Sequence, residues 1–365
     1  MSTETKRQIS VLIKPASSSC NLRCSYCFYA DVSESREVRN HGNMSLETID
    51  CLTARIDEAL EHEGTANISF QGGEPTVAGL DYFRSFTQSM ARFPDVTVNY
   101  SIQTNGTLLD KEWAQFFHDH HFLVGVSLDG YQTNMDRFRY DAKKKGVYYR
   151  VLAGIDELKK ADVEFNILTV VTSELAAHPK ALFEFYRSHK FNYVQLIPCL
   201  PGLYESDDMA LTPERYSSFY IQFFRVWREA WMRGTHISVN LFDNLAGMLG
   251  GELPYQCGMI GKCFVQYVIE SNGDVYPCDF YCLDEYCLGN LKDRSFREMS
   301  ESAQAESFLA GSACTKKPCE SCPYLNFCHG GCRRQNVCYL TDESCAYRQA
   351  LDVILPELYR MIDRQ

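Results

Sequence analysis

Up to about residue 235, short apolar runs alternate along the chain with stretches in which apolar residues recur at the helical period. The runs are rich in β-branched and aromatic residues and mostly continuous, as in strands that a parallel sheet buries on both faces. They predict strands at Ile9–Lys14, Ile68–Gln71, Val98–Gln103, Leu123–Leu128, Phe165–Val171 and Tyr193–Pro198. The stretches between them predict helices at Ser45–Glu61, Leu80–Arg92, Lys111–His120, Tyr148–Lys160 and Pro179–His189. Six strand–helix units predict an α/β fold, a partial (β/α)6 barrel.

The alternation stops after about residue 240, and cysteines crowd the rest of the chain. A hairpin is predicted there, with Phe264–Glu270 and Asp274–Pro277 joined by a Ser-Asn-Gly turn. A final amphipathic helix is predicted at Ala346–Met361. Because so little apolar periodicity supports a core, this region is expected to need metal to hold it together. The sequence therefore predicts two domains, residues 1–235 and residues 236–365.

Composition excludes some classes of protein. Of the 365 residues, 45% are hydrophobic and 23% are charged, as in ordinary soluble globular proteins. The net charge of -11 argues against a nucleic-acid partner, because phosphate binding favours a basic surface. No apolar stretch reaches the length of a membrane span, and the N-terminus MSTETKRQIS has no apolar signal segment. We therefore expect a cytoplasmic protein with neither a nucleic-acid nor a membrane partner.

The cysteine count of 17 is informative, because a chain without a secretory signal keeps its thiols reduced. Clustered thiols in such a chain bind metal or carry out redox chemistry rather than forming a disulfide scaffold. Most of them fall into three groups, namely Cys20, Cys24 and Cys27, then Cys257, Cys263 and Cys278, then Cys314 through Cys345.

The first group lies in a short loop soon after the first predicted strand. Thiolates ligate both zinc and iron–sulfur clusters, so the spacing alone leaves open a structural zinc site with a remote fourth ligand. A four-iron cluster held by three cysteines would instead leave one iron able to bind a substrate or cofactor. The CxxxCxxC spacing, with the aromatic Tyr26 before the last cysteine, resembles the signature of the radical S-adenosylmethionine (SAM) superfamily. The resemblance implies that the open iron chelates SAM, whose 5′-deoxyadenosyl radical abstracts hydrogen from the substrate.

The second predicted strand ends in Gln71-Gly72-Gly73-Glu74-Pro75. Paired glycines let a ligand approach backbone amides, although for such a pair alone a simple strand-to-helix turn is the better interpretation. After CxxxCxxC, the segment resembles the superfamily's GGEP segment, which binds the SAM amino group. Polar residues that end predicted strands, where barrel active sites lie, are Gln103, Asn105, Ser127 and Asp129. The resemblance implies that the residues contacting SAM are Tyr26, Gly73, Ser127, Arg139 and Leu200.

The later cysteines resemble the SPASM domain, a C-terminal extension that carries two auxiliary four-iron clusters. The matching spacings are Cys263-x9-Gly273-x4-Cys278, Cys319-x2-Cys322-x5-Cys328-x3-Cys332 and a final Cys345. The resemblance implies three [4Fe–4S] clusters in all, with one auxiliary cluster bound by Cys257, Cys263, Cys278 and Cys332, and the other by Cys319, Cys322, Cys328 and Cys345. Two zinc sites in a binding module are the alternative, and Cys338 is the alternative last ligand. The remaining cysteines are interpreted as small buried or incidental side chains, namely Cys51, Cys199, Cys282, Cys287 and Cys314.

Several segments narrow the resemblance to the anaerobic sulfatase-maturating enzymes, and they extend over nearly the whole chain. They include LIKPASS from Leu12, QTNGT from Gln103 and, most specifically, YPCDFY from Tyr276. The resemblance implies oxidation of a Cys or Ser side chain to formylglycine in an unfolded sulfatase carrying a Cys/Ser-x-Pro-x-Arg motif, with an electron donor as a further partner.

The resemblance implies that Asp279 is the general base for the substrate thiol or hydroxyl. A nearby anionic cluster should make this carboxylate more basic, although it could instead merely accept hydrogen bonds from backbone amides. Tyr29 and Gln71 are expected either to line the peptide channel or to pack.

Two other functions remain open. Another SPASM maturase could install a thioether or carbon–carbon crosslink in a precursor peptide. Many of these begin with a leader-binding domain, for which a first strand near Ile9 is expected to leave no room. A non-catalytic electron-transfer or metal-binding module is the other possibility, and the three-cysteine loop followed by GGEP argues against it.

Overall fold

The computed structural model describes residues 7–204, 208–311 and 316–363, so Cys314 lies outside the described residues. The chain forms two compact units. The first is assembled from Met1–Val126, Arg139–Phe165 and Phe264–Ala310, and the second from Ser127–Phe138, Asn166–Cys263 and Gly311–Gln365. These units do not test the predicted division into residues 1–235 and 236–365, which stays a prediction.

The described residues form strands and helices that alternate up to β6 and become short and irregular after α9. The strands are β1 (Gln8–Ile13), β2 (Gly64–Phe70), β3 (Val96–Thr104), β4 (Leu123–Ser127), β5 (Phe165–Val171), β6 (Tyr193–Pro198), β7 (Ser238–Val239), β8 (Val268–Ile269), β9 (Asp274–Tyr276) and β10 (Gly289–Asn290). The helices are α1 (Phe28–Glu34), α2 (Leu46–Ala59), α3 (Leu80–Met90), α4 (Lys111–Asp119), α5 (Gln132–Phe138), α6 (Tyr148–Lys160), α7 (Pro179–His189), α8 (Pro213–Trp231), α9 (Asn240–Leu249), α10 (Phe296–Ser300), α11 (Ala303–Ala310), α12 (Lys317–Glu320), α13 (Leu325–Cys328) and α14 (Ala346–Ile362).

In the first unit, β1 lies between β2 and β8 and pairs with both in parallel. Strands β2, β3 and β4 continue the parallel pairing on one side. On the other side, β8, β9 and β10 pair antiparallel. The hairpin from the cysteine-rich part of the chain is therefore joined directly to the first strand of the parallel sheet.

Aromatic packing covers one face of this sheet. Phe70 of β2 contacts Phe83 and Phe86 of α3, with ring centroids 4.9 and 5.1 Å apart. All three side chains are almost fully buried. Burial of a Phe side chain contributes about 1.5–3 kcal/mol, so this contact holds α3 against the sheet and positions the turn between β2 and α3.

The second unit contains the parallel strands β5, β6 and β7. Its longest helix, α8, packs against α7 and α14. Thr212 caps the start of α8 by accepting the amide of Arg215. Buried aromatic residues line the helix at helical spacing, and they include Phe219, Phe223 and Trp227.

The strand and helix predictions are largely confirmed. Strands β5 and β6 and helices α6 and α7 have the predicted bounds, and the other predicted elements differ only at their ends. The predicted hairpin exists, but its strands are shorter, since the paired residues of the ladder are Val268 and Ile269 opposite Tyr276 and Val275. Beyond the ladder, the amides of Gln266 and Glu270 donate to the carbonyls of Pro277 and Asp274. Helix α1, formed directly after the three-cysteine loop, was not predicted. Among the described residues, no helix combines the length and apolarity that crossing a membrane requires.

Candidate functional site

The three-cysteine loop is held by the segment that follows β2. The Gly73 amide donates to the Ser17 carbonyl at 3.2 Å, and the Glu74 amide donates to the Ser19 carbonyl at 2.8 Å. A Cβ atom on Gly73 would lie 2.2 Å from the Ser19 carbonyl oxygen, so only glycine allows this approach. The glycine therefore fixes the backbone that leads directly into Cys20.

Glu74 acts as a buried anchor between neighbouring strand ends. Its carboxylate accepts the amide and hydroxyl of Thr76, the hydroxyl of Thr104 and the amide of Asn105. Burial raises the pKa of Glu74, and these hydrogen bonds act in the opposite direction. The residue thus ties the end of β2 to the end of β3, a structural role beside any contact that the GGEP segment makes with SAM.

Asn105 connects this anchor to the cysteine loop. Its side-chain amide donates to Asn21 at 2.8 Å and approaches the Cys20 sulfur at 3.9 Å. Burial raises the pKa of Cys20 to about 12, so the residue is a thiol until a metal displaces its proton. Cys27 ends the loop at the start of α1, and Cys24 and Cys27 are half-buried like Cys20.

The residues expected to contact SAM lie in both units. In the first unit, the Arg139 guanidinium lies over the Tyr26 ring, 5.4 Å from its centroid. In the second unit, Ser127 is buried at the end of β4 and Leu200 follows β6 half-buried. Contact of these residues with SAM stays a prediction. Asp129, another strand-end candidate, accepts the Val170 amide at 2.9 Å and so also has a structural role.

Asp279 lies just after β9, and its contacts with Lys14 and Gln71 place it at the carboxyl ends of β1 and β2. Its Oδ2 accepts the Tyr29 hydroxyl at 2.5 Å and the Gln71 amide at 3.2 Å. Its Oδ1 lies 3.5 Å from the Lys14 ammonium and, among the described residues, is a buried oxygen without a hydrogen-bond partner. One carboxylate oxygen is therefore fixed, and the other remains able to accept a proton.

Lys14 is the buried cation of this site. Burial by itself would lower the pKa of Lys14, but Cys282, Asp279 and Glu270 together raise it. Its ammonium also lies over the Tyr29 ring, 4.8 Å from the centroid. Lys14 therefore stays charged and compensates the buried Asp279 carboxylate.

A second buried ion pair lies beside Lys14. Arg36 contacts Glu270 at 2.7 Å, and their side chains are only 2% and 1% exposed. The Glu270 pKa is lowered because Lys14 and Arg36 outweigh the effect of burial. Asp279, Lys14, Glu270 and Arg36 thus alternate in sign, so neither carboxylate is left as an uncompensated buried charge.

Sequence reasoning missed three members of this cluster, namely Lys14, Glu270 and Arg36. Lys14 had a detectable signal, because a lysine that ends an apolar strand needs a buried anion. Cys282 was interpreted as a small buried or incidental side chain, and it is indeed fully buried. It donates to the Cys278 carbonyl, and burial raises its pKa to about 12. It is nevertheless part of the Lys14 environment, which its distance along the sequence concealed.

Four of the later cysteines lie together in the second unit. Cys319, Cys322, Cys328 and Cys345 line one cavity with three tyrosines, Tyr324, Tyr339 and Tyr347. Cys338 is directed elsewhere, since its thiol donates to the Cys199 carbonyl at 3.4 Å. Four thiols around one cavity are the donor set that a [4Fe–4S] cluster requires. Among the described residues, no three His, Cys, Asp or Glu side chains form a site for a single metal ion.

The other predicted ligand set has members in both units. Cys257, Cys263 and Cys332 belong to the second unit and Cys278 to the first. Within the second unit, a Cβ on Gly258 would lie 3.3 Å from the Cys332 Cβ, which places the segment around Cys257 beside Cys332. All four cysteines are half-buried and free of disulfides.

Comparisons with known proteins identify the family of the chain. Residues 15–186 match the radical SAM superfamily, and residues 261–323 match SPASM, an iron–sulfur cluster-binding domain. A cysteine-type anaerobic sulfatase-maturating enzyme from Clostridium novyi (strain NT) is 40% identical over 333 residues, which are 90% of this chain and 88% of that relative. A serine-type enzyme from Bacteroides thetaiotaomicron (strain ATCC 29148 / DSM 2079 / JCM 5827 / CCUG 10774 / NCTC 10582 / VPI-5482 / E50) is 29% identical over 353 residues, which are 91% of this chain and 84% of that relative.

Two solved structures are similar to the chain to different degrees. The structure of native anSMEcpe with bound AdoMet has a TM-score of 0.91 and 35% identity, covering 98% of this chain and 100% of that chain. Streptococcus suis SuiB bound to precursor peptide SuiA has a TM-score of 0.64, 16% identity and coverage of 93% of this chain and 75% of that chain, a likeness in fold alone.

The superfamily and domain matches also establish the cofactors. The protein uses SAM and a [4Fe–4S] cluster, with further iron–sulfur clusters in the SPASM domain. Its identity to the sulfatase-maturating relatives extends over both matched regions. The chain therefore belongs to the anaerobic sulfatase-maturating enzymes, radical SAM enzymes with a partial (β/α)6 barrel and a C-terminal SPASM domain.

Proposed function

We propose that this protein oxidises a Cys or Ser side chain of a sulfatase polypeptide to Cα-formylglycine. The observation that carries the proposal is the Asp279 carboxylate, which has one oxygen held by Tyr29 and Gln71 and the other without a partner among the described residues. A buried base held in one orientation suits removal of a proton from a thiol or hydroxyl at a defined position.

The residues that would hold the cofactors follow from donor chemistry and family resemblance. The proposed SAM contacts are Tyr26, Gly73, Ser127, Arg139 and Leu200, and the proposed ligands of the SAM-binding cluster are Cys20, Cys24 and Cys27. The proposed auxiliary ligand sets are Cys257, Cys263, Cys278 and Cys332, then Cys319, Cys322, Cys328 and Cys345. When bound, SAM and its cluster supply the radical that removes hydrogen from Cβ, and the auxiliary clusters supply an acceptor for a second electron.

Asp279 accepts the proton that the substrate releases during this oxidation. A Cys side chain loses one hydrogen atom from Cβ, one electron, and the thiol proton, which Asp279 Oδ1 accepts. The resulting thioaldehyde reacts with water to give the aldehyde and hydrogen sulfide, whereas Ser gives the aldehyde directly. The Tyr29 phenol remains protonated, since burial and the Asp279 carboxylate raise its pKa, so it donates to Oδ2 throughout.

We further propose Cys as the preferred target. The cysteine-type relatives are 38–40% identical to this chain and the serine-type relatives are 29% identical. The thiol also requires a weaker base than a hydroxyl does, because an unperturbed cysteine has a pKa of about 8.5. The proposed recognition motif is Cys/Ser-x-Pro-x-Arg.

The proposed setting is the cytoplasm, with a low-potential one-electron donor as partner. Reduced cysteines and iron–sulfur clusters both require a reducing compartment. The donor is needed because SAM cleavage consumes an electron before the substrate releases one.

The test uses anaerobically reconstituted enzyme with SAM, a reductant and two peptides that differ only in Cys or Ser within the motif. We expect mass spectrometry to detect an aldehyde that an amine reagent traps, formed faster from the Cys peptide. Cleavage of SAM with both peptides unchanged would contradict the sulfatase assignment and favour another SPASM maturase. Equal rates for the two peptides would contradict only the preference for Cys.

A further inference from the structure

Tyr347 is a buried tyrosine for which the proposed reaction has no role. It is the second residue of α14 and follows Cys345, the residue that precedes the helix, by two positions. Its side chain lines the same cavity as Cys319, Cys322 and Cys328, and the residue is only 5% exposed. Among the described residues, its hydroxyl has no hydrogen-bond partner.

An unpartnered hydroxyl in a protein interior is costly, because a buried donor has lost its hydrogen bonds to water without gaining an acceptor. Tyr347 contacts the rings of Tyr339 and Tyr216 at centroid distances of 5.4 and 6.2 Å, but within the described part of the chain neither of their hydroxyls accepts a hydrogen bond from it. The cavity side presents sulfur. A neutral phenol can donate one hydrogen bond, and cluster sulfur atoms are acceptors.

Tyr220 packs in the same group of buried tyrosines, but its hydroxyl has a hydrogen-bond acceptor. Its ring contacts Tyr216 at 4.5 Å, and its hydroxyl donates to the Leu196 carbonyl at 3.4 Å. It is not among the residues that line the four-cysteine cavity. The structure therefore contains a buried tyrosine that matches Tyr347 in packing but already has an acceptor.

We propose that the Tyr347 hydroxyl donates a hydrogen bond to the iron–sulfur cluster held by Cys319, Cys322, Cys328 and Cys345 and thereby raises the reduction potential of that cluster. The reduced cluster carries one more negative charge than the oxidised one, so a donor stabilises the reduced form more. A higher potential favours acceptance of the electron that leaves the substrate. The inference rests on the proposed ligand set.

The experiment compares Tyr347→Phe with Tyr220→Phe in a background that lacks the SAM-binding cluster, with Cys20, Cys24 and Cys27 all replaced by Ala. Redox titration followed by electron paramagnetic resonance then reports the two auxiliary clusters. We expect Tyr347→Phe to shift the reduction equilibrium of one cluster about tenfold toward the oxidised form, which equals about 59 mV for one electron. The other cluster, and both clusters in Tyr220→Phe, should keep the parent potentials.

Unchanged potentials in Tyr347→Phe at full iron content would overturn the proposal, and so would an equal shift in Tyr220→Phe. If Tyr347→Phe loses its cluster, 3,5-difluorotyrosine at position 347 keeps the shape while strengthening the donor, and it should raise the same potential. No rise there would also overturn the proposal. A wrong ligand set would appear separately, as unchanged iron content in Cys345→Ala.

Discussion

At the scale of single residues, the two oxygens of Asp279 have different environments. Oδ2 accepts hydrogen bonds from Tyr29 and Gln71, whereas Oδ1 faces Lys14 at 3.5 Å and has no hydrogen-bond partner among the described residues. Such asymmetry orients a carboxylate, because a side chain held through one oxygen presents the other in a fixed direction. The catalytic and structural roles of the residue can therefore be separated by substitution.

Asp279→Asn should lower formylglycine production by about 10²–10⁴-fold, the usual contribution of a general base. Asn keeps the size of the side chain but cannot accept the proton, so iron content and SAM cleavage should persist. Peptide mass spectrometry and iron analysis together test this. Asp284→Asn is the matched control, since the carboxylate of the exposed Asp284 accepts the Glu37 amide and an Asn side chain can accept it too, so this variant should retain wild-type turnover. Wild-type turnover by Asp279→Asn would remove Asp279 from the mechanism.

Lys14→Met should lower turnover and stability together. The substitution leaves the buried Asp279 carboxylate without its cation, and breaking a buried ion pair costs about 3–5 kcal/mol. Lys14→Arg should recover part of both losses, because the positive charge is restored. Thermal unfolding and turnover number measure the two effects. Full stability and turnover in Lys14→Met would contradict this role of the lysine.

At the scale of elements, short segments between strands hold the site. The turn after β2 docks on the backbone before Cys20, and the hairpin β8–β9 extends the sheet beside β1. These contacts involve backbone atoms, so side-chain substitutions elsewhere should disturb them little. Gly73 is the exception, because a Cβ added there would enter the space that the Ser19 carbonyl occupies.

Gly73→Ala should reduce occupancy of the SAM-binding cluster, because its Cβ would lie 2.2 Å from the Ser19 carbonyl oxygen. Gly79→Ala is the control, since Gly79 has φ of +86° but no atom within 4 Å of an added Cβ. That control should lose about 1–3 kcal/mol of stability through backbone strain alone, because φ of 86° with ψ of 155° is a conformation that essentially only glycine adopts, and it should keep its iron. Iron analysis and thermal unfolding distinguish the variants. Equal iron loss in Gly73→Ala and Gly79→Ala would show that backbone strain, rather than the close approach to the Ser19 carbonyl, causes the loss.

The start of α14 bears on the choice between Cys345 and Cys338 as the last cluster ligand. Cys345 precedes the helix and lines the four-cysteine cavity, whereas Cys338 donates to the Cys199 carbonyl. Cys345→Ala should therefore lose about four irons, the content of one cluster. Cys338→Ala should retain them, although loss of the buried thiol lowers its stability. Iron loss in Cys338→Ala but not in Cys345→Ala would reverse the assignment.

At the scale of the whole molecule, the source of stability differs along the chain. The parallel strands of the first unit are held by continuous ladders and buried aromatic side chains such as Phe70. The segment from residue 316 to residue 345 contains only helices of four residues and short turns. Elements this short are not stable by themselves, so their order must come from bound metal.

Anaerobic removal of iron should therefore raise hydrogen exchange selectively. We expect amides between residues 316 and 345 to lose protection, while those of β1, β2 and β3 keep theirs, because the strand ladders do not depend on metal. Hydrogen–deuterium exchange with mass spectrometry measures both regions in one sample. Unchanged protection in the cysteine-rich segment would show that packing alone stabilises it.

Most elements of the fold could be predicted from local patterns. Apolar runs and helical periodicity located six strands and five of the helices between them, because those patterns reflect burial that each segment requires by itself. Cysteine spacing likewise indicated the cluster-binding regions, since ligands in one loop are close in sequence as well as in space. Asp279 was identified through its neighbour Cys278 and the resemblance, not through its contacts.

The surroundings of the Asp279 carboxylate depend on the tertiary structure alone. Lys14, Tyr29 and Gln71 come from elements more than 200 residues before Asp279, and only the parallel pairing of β1 with β8 brings them together. Cys282 and Tyr347 have no distinctive sequence pattern, and their roles depend on which polar groups lie buried beside them. The sequence by itself determined the family and most elements, and it predicts the metal-binding thiols, because all of these follow from local spacing. The charge compensation at Asp279 and the unpartnered Tyr347 hydroxyl depend on long-range packing, which no local pattern encodes.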